Sequence, residues 1–111
     1  MVRSNTITIH VKTKVPEKPE IVNVSLNANK TSIYEGETIR FDYIIHFNKS
    51  ITSEQANTYK AKITVLVNNV EQKTFFESLV PGTDYIAGDY TLVFTKAGDY
   101  TVAIDADIVR K

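Results

Sequence analysis

The sequence predicts an all-β fold, an antiparallel β-sandwich of about seven short strands, on three observations. Apolar residues recur at every second position in run after run, the period of a half-buried strand. Residues that favour tight turns punctuate these runs at short intervals. No stretch carries the apolar spacing of a long helix. The 111 residues suit one domain with a single core, and 42% hydrophobic content suits a packed chain rather than a disordered one.

The elements follow in order. "TITIHVKT", within residues 5–13, sets Ile7, Ile9 and Val11 against Thr8, His10 and Lys12. "VPEKPE", residues 15–20, is a connection stiffened by two prolines. "IVNVSLNA" alternates Val22, Val24, Leu26 and Ala28 with Asn23, Ser25 and Asn27. Tyr34-Glu35-Gly36-Glu37 marks a reversal, after which "ETIRFDYIIHFN" sets Ile39, Phe41, Tyr43, Ile45 and Phe47 on one face. "TSEQANT" (52–58) reads as a loop. "YKAKITVLV" turns Tyr59, Ala61, Ile63, Val65 and Val67 inward, and Asn68-Asn69 is a two-residue hairpin signal because Asn tolerates positive φ. "VEQKTFFESL" alternates poorly, Phe75 and Phe76 being adjacent, and reads as an edge strand with both faces partly covered. Pro81-Gly82 fits a type II turn. "YTLVF" offers Tyr90, Leu92 and Phe94; "KAGD" turns at Gly98; "YTVAIDADI" offers Tyr100, Val102, Ile104, Ala106 and Ile108. The runs are rich in Val, Ile, Thr and Tyr, which suit a pleated surface.

Composition excludes several classes of function. Thirteen basic residues balance thirteen acidic ones, so no global field draws nucleic acid or an anionic membrane. Cysteine is absent, which removes disulfides and thiolate chemistry together. The longest apolar runs are only a few residues, so membrane insertion is not expected, and the first residues lack the apolar segment of a signal peptide.

Within "AGDYTVAI" the order Gly-x-Tyr-x-apolar resembles the tyrosine corner of immunoglobulin-like domains. The resemblance implies that Tyr100 opens a strand and that its hydroxyl bonds back to upstream backbone. Val102 and Phe41 would stand where antibody-type domains carry their cysteines. The chain has no Trp and no Cys, so it looks more like the disulfide-free relatives. These are fibronectin type III domains and the CARDB-type modules of archaeal and bacterial surface proteins. With the latter it shares "YEGETIRFDYIIHFN" and a late Pro-Gly…Tyr-x-Leu-x-Phe…Gly-Asp-Tyr-Thr-Val…Asp. The resemblance spans roughly residues 21–108. It implies an immunoglobulin-like sandwich domain over 21–111, with strands at about 20–28, 37–48, 58–67, 70–78, 88–95 and 99–109.

On that assignment the last strand of such a domain is missing after residue 109, and a spare strand stands ahead of the first. An unpaired apolar edge is avoided in natural sheets. To fill the gap in its own domain, a strand of nine residues, about 30 Å long, would have to be brought back by a six-residue linker reaching roughly 19 Å. The better expectation is that the extra strand, residues 1–14, completes a neighbouring domain. It is either the last strand of a preceding domain or a donor strand given to another subunit, with Ile7, Ile9 and Val11 inserted. Local pairing of the segment within its own domain is the alternative.

No constellation suggests catalysis. GxxxxGK[ST], GxGxxG, HExxH and GxSxG are all missing, and no cofactor is implied. Asp105 and Asp107 share a strand face, but calcium needs six to eight oxygens and no further ligands accompany them. His10 and His46 lack zinc spacing and read as surface residues. Asn23, Asn29 and Asn48 stand in Asn-x-Ser/Thr sequons and would accept glycans if the protein faces outward. The expectation is a non-enzymatic structural or adhesive module of a cell or virion surface, partnering protein, itself included, and not nucleic acid. The runner-up is a carbohydrate-binding or accessory domain of a larger extracellular enzyme, with Tyr34, Tyr59, Tyr85, Phe75 and Phe76 as the candidate aromatic platform.

Overall fold

The ten-residue run with the cleanest alternation forms the strand around which one sheet is built. The computed structural model describes residues 2–10 and 15–111. Its elements are β1 (Ile21–Ala28), β2 (Thr38–Phe47), α1 (Ser53–Thr58), β3 (Tyr59–Val67), β4 (Val70–Ser78), β5 (Tyr85–Val93) and β6 (Val102–Arg110). Two antiparallel three-stranded sheets result, ordered β1-β2-β5 and β4-β3-β6. β2 and β3 are the central strands, and their inner faces are the core: Ile39, Phe41, Tyr43, Ile45 and Phe47 against Tyr59, Ala61, Ile63 and Val65, all buried. Thr38, Val67 and Val102 mark one end of the sheets, called upper here; Phe47, Tyr59 and Arg110 mark the lower end.

Turn chemistry sets the reversals. Asn68 and Asn69 take φ of 50° and 63° and close the β3–β4 hairpin. Gly36 and Gly82, at φ 84° and 85°, occupy turns closed by Glu37 N–H to the Tyr34 carbonyl (3.2 Å) and Thr83 N–H to the Val80 carbonyl (3.3 Å).

The structure corrects four readings. Within the stretch read as a loop, Ser53–Thr58 is a short helix capped by Thr52. Thr52 Oγ1 accepts from Gln55 N–H (3.1 Å), Gln55 Oε1 accepts from Thr52 N–H (2.9 Å), and Ala56 is buried beneath. Val22 points outward, because a bulge between Ile21 and Asn23 shifts the alternation and hands the inner position to Ile21. The strand expected at 88–95 runs instead over Tyr85–Val93. Finally, residues 2–10 carry no strand, so six strands form among the described residues.

The two sheets are joined by an aromatic cluster. Tyr43 of β2 packs 5.9 Å from Phe75 of β4 and 6.3 Å from Tyr90 of β5, and Phe41 stacks on Tyr90 at 5.2 Å. The Tyr43 hydroxyl donates to Glu77 Oε1 (2.8 Å), a bond between the sheets. Burial, then the bond to the Glu77 carboxylate, raises the Tyr43 hydroxyl well above its ordinary value of 10. Burial alone pushes Tyr90 up to about 12, and its hydroxyl has no hydrogen-bond partner. Both groups bind their protons more tightly folded than unfolded. The contribution of these two groups to stability is therefore fully present below pH 10 and is lost as pH rises from 10 through 12, by up to about 1.4 kcal/mol per unit per tyrosine. Tyr90→Phe removes an unsatisfied buried hydroxyl and should stabilise the fold by about 1 kcal/mol at pH 7. It should also flatten the alkaline limb of a pH series of urea unfolding curves. A loss of stability at pH 7 would show that the hydroxyl has a partner in solution.

Candidate functional site

The core is half-open where the edge strands β1 and β6 face each other. β1 edges one sheet and β6 edges the other, and they face each other without hydrogen-bonding. Val24, Leu26 and Ala28 of β1, with Val102, Ile104 and Ala106 of β6, turn inward yet are only half-buried. Ile108, two residues further along β6, is buried. The gap thus runs along the upper two-thirds of β6. At its upper end it widens into a cleft of about 600 Å³ lined by Leu26, Ile33, Phe41, Phe94, Tyr100 and Val102 among others.

Backbone polarity accompanies the apolar lining. Pairing with β3 places Thr101 opposite Asn68 and Lys111 opposite Thr58, with Asn68 N–H bonded to the Thr101 carbonyl (2.8 Å) and Lys111 N–H to the Thr58 carbonyl (3.0 Å). Odd-numbered residues of β6 therefore bond to β3, and even-numbered ones aim N–H and C=O at the gap. The same parity holds on β1, where Asn29 N–H bonds the Arg40 carbonyl (3.0 Å) and the backbone N–H and C=O of Val24, Leu26 and Ala28 point away from β2 along the open edge. Both rims present unpaired backbone groups beside apolar side chains.

Each end of the gap is fixed. Above, the Tyr100 hydroxyl donates to the Lys96 carbonyl (2.7 Å) and its ring lies 4.6 Å from that of Phe94. Thr101 N–H donates to Asn68 Oδ1 (2.9 Å), so the entry to β6 is held from both sides. Below, the proline-containing linker is docked against the sheets. Pro19 is buried; the Pro16 carbonyl accepts from the Tyr59 hydroxyl (2.9 Å) and the Glu17 carbonyl from Gln55 Nε2 (2.8 Å). Asn48 N–H donates to the Glu20 carbonyl (3.0 Å). Asp107 Oδ1 accepts from Ile108 N–H (2.9 Å) and lies 3.6 Å from Lys18 Nζ. Residues 16–20 thus cross the lower end from β3 past β6 to β1.

The other residues singled out by sequence are scattered. Ile7 and Ile9 are 78% and 75% exposed and unpaired, against the expected strand, because a strand gains its backbone bonds only beside a partner. Val11 lies outside the described residues. Asn23, Asn29 and Asn48 are all exposed; Asn29 Oδ1 accepts from Arg40 N–H (3.0 Å) and Asn48 Nδ2 donates to Glu20 Oε2 (3.1 Å). The five aromatic residues form no platform. Tyr59 is buried, Phe75 belongs to the core cluster, Phe76 lies under Lys60 Nζ at 4.1 Å, and Tyr34 and Tyr85 sit at opposite ends. Asp105 and Asp107 are exposed, and no group of three His, Asp or Glu side chains able to hold a metal converges among the described residues.

Sequence reasoning missed Asp107 as a capping group and residues 16–20 as a plug. Comparison with protein-family models, characterised proteins and solved structures finds no match to this chain.

Proposed function

We propose that the chain is a non-enzymatic, immunoglobulin-like β-sandwich module of a cell or virion surface, and that it assembles head-to-tail by strand exchange. The single observation that carries this reading is the half-open gap between β1 and β6, lined by six aliphatic side chains and rimmed by unpaired backbone. Full burial of an aliphatic side chain contributes about 1.5–3 kcal/mol, so a strand seated there has several kcal/mol to gain. The immunoglobulin-like assignment is supported by the strand order, β1-β2-β5 opposite β4-β3-β6, and by the Tyr100–Lys96 bond of a tyrosine corner. Strand exchange is supported by the alternating apolar sequence of residues 5–11, of which Ile7 and Ile9 stand exposed. A surface location is supported by three exposed sequons.

The contact is heterologous, one surface against a different one, so it propagates unless the rotation closes. Light scattering of the full chain against a variant lacking residues 1–14 tests it. The full chain should grow in mass with concentration, and the truncated chain should stay a monomer. A concentration-independent monomer in both cases would sink the proposal.

A further inference from the structure

We infer that the gap accepts residues 5–11 of a second copy in one direction and one register: antiparallel to β6, with Ile7 opposite Ala106 and Ile9 opposite Ile104, stopped below by Asp107. The inference rests on the head-to-tail reading above and adds the address of the contact.

Direction follows from where the connecting segment is held. A strand antiparallel to β6 runs from the lower end to the upper and leaves through the upper cleft. The donor's residues 16–20 are bonded across the lower end of its own sheets. Only residues 12–15 separate them from the inserted strand, a reach of about 17 Å from residue 11 to residue 16. The upper end of one copy therefore abuts the lower end of the next. A strand parallel to β6 would have to leave through the lower end, where the acceptor's own Pro19, Lys18 and Asp107 close the way. Antiparallel insertion in cis is excluded for the same reason. Residue 11 would stand at the upper end while residue 16 is fixed at the lower, a strand's length of about 30 Å against the roughly 17 Å that five Cα-to-Cα steps can reach.

Register follows from which edge groups are free. Val102, Ile104 and Ala106 aim N–H and C=O at the gap and have half-buried side chains. The next such group, Ile108 N–H, is already bonded to the Asp107 carboxylate, and the Ile108 side chain is buried. Three apolar positions are thus open, and the segment supplies three apolar residues at the matching spacing of two. Seating Ile7 at the last open position places Ile9 at Ile104 and brings the chain to Val102 at residue 11. One step lower would set Ile7 against Ile108, where Asp107 competes for the backbone bond. One step higher would leave Ala106 uncovered.

The absence of native cysteine makes the geometry directly readable. In this register the outward-facing Thr8 stands opposite Asp105, and His10 opposite Ala103. These are non-hydrogen-bonded pairs with Cα atoms about 4.5 Å apart, within disulfide range. Full-length chains carrying T8C and D105C singly are mixed, oxidised and separated by mass, alongside H10C with A103C, T8C with A103C, H10C with D105C and T6C with A103C; Asp107 is kept in every chain. Disulfide dimers are expected for T8C with D105C and H10C with A103C, at least tenfold over the other pairs. Dimers favouring T8C with A103C or H10C with D105C would overturn the register. Dimers favouring T8C with D105C together with T6C and A103C would mark a parallel strand and overturn the direction. Either result leaves head-to-tail assembly standing. No dimer from any pair, with every chain folded and monomeric, would overturn both the inference and the reading beneath it, as would a T8C/D105C double variant that links only within one chain.

Discussion

Gly88→Ala is expected to destabilise the fold by about 3–5 kcal/mol, large for so small a change. Gly88 lies directly opposite Tyr43 in the β2–β5 pairing. Its backbone is ordinary strand, so space rather than conformation forbids a side chain. A methyl group there would stand inside the Tyr43 ring and hydroxyl. Tyr43 cannot swing away, because Phe75 and Tyr90 flank it and its hydroxyl is tied to Glu77. Overpacking costs about 1–3 kcal/mol, and displacing the ring also breaks a bond to a charged acceptor worth about 1.5–3. Urea unfolding followed by circular dichroism measures the loss, since the chain has no tryptophan to report it. In a Tyr43→Leu background the same substitution should cost under about 1 kcal/mol, because the obstructing ring is gone. Equal losses in both backgrounds would show that the Tyr43–Gly88 contact does not set the effect.

That pairing also explains one limit of the sequence. Gly disfavours strands, so Gly88 reads as a strand's beginning, whereas it sits mid-strand beneath an aromatic ring. What was legible follows physical rules that act locally. β2 and β3 each bury one face, so their alternation is strict, and Asn68-Asn69 and Pro81-Gly82 encode their turns in backbone preference. What was not legible depends on distant residues. α1 is too short to show a period, and its only local signal is the reciprocal Thr52–Gln55 cap. The bulge at Val22 shifts parity by one, which alternation alone cannot reveal. Residues 15–20 read as a proline-stiffened spacer because their composition is that of one; the partners that dock them, Tyr59, Gln55 and Asn48, come from across the fold. Of the candidate site, Ile7 and Ile9 were visible as a strand's alternation, but the gap between β1 and β6 exists only once both sheets have formed.

A synthetic peptide of residues 4–14 should raise the melting temperature of the chain lacking residues 1–14 by on the order of 10 °C. The truncated chain retains every buried core residue, since all of these lie at 39 or beyond, and it keeps the plug at 16–20. A ligand that binds only the folded state stabilises it by about 2.7 kcal/mol at one hundred times its dissociation constant. For a domain of this size each kcal/mol moves the midpoint by about 4–8 °C. The contribution comes from covering Val24, Leu26 and Ala28 on one rim and Val102, Ile104 and Ala106 on the other, together with the backbone bonds that β6 leaves open. The shift should saturate at one peptide per chain. A peptide with Ile7 and Ile9 both changed to Asp should give none, because each carboxylate would lose its water inside an apolar gap. The full chain should respond less to the wild-type peptide, its gap being occupied by a neighbour. Equal shifts from both peptides would mean that charge or crowding, rather than the inserted isoleucines, produces the effect, and the gap would then be no acceptor for this segment.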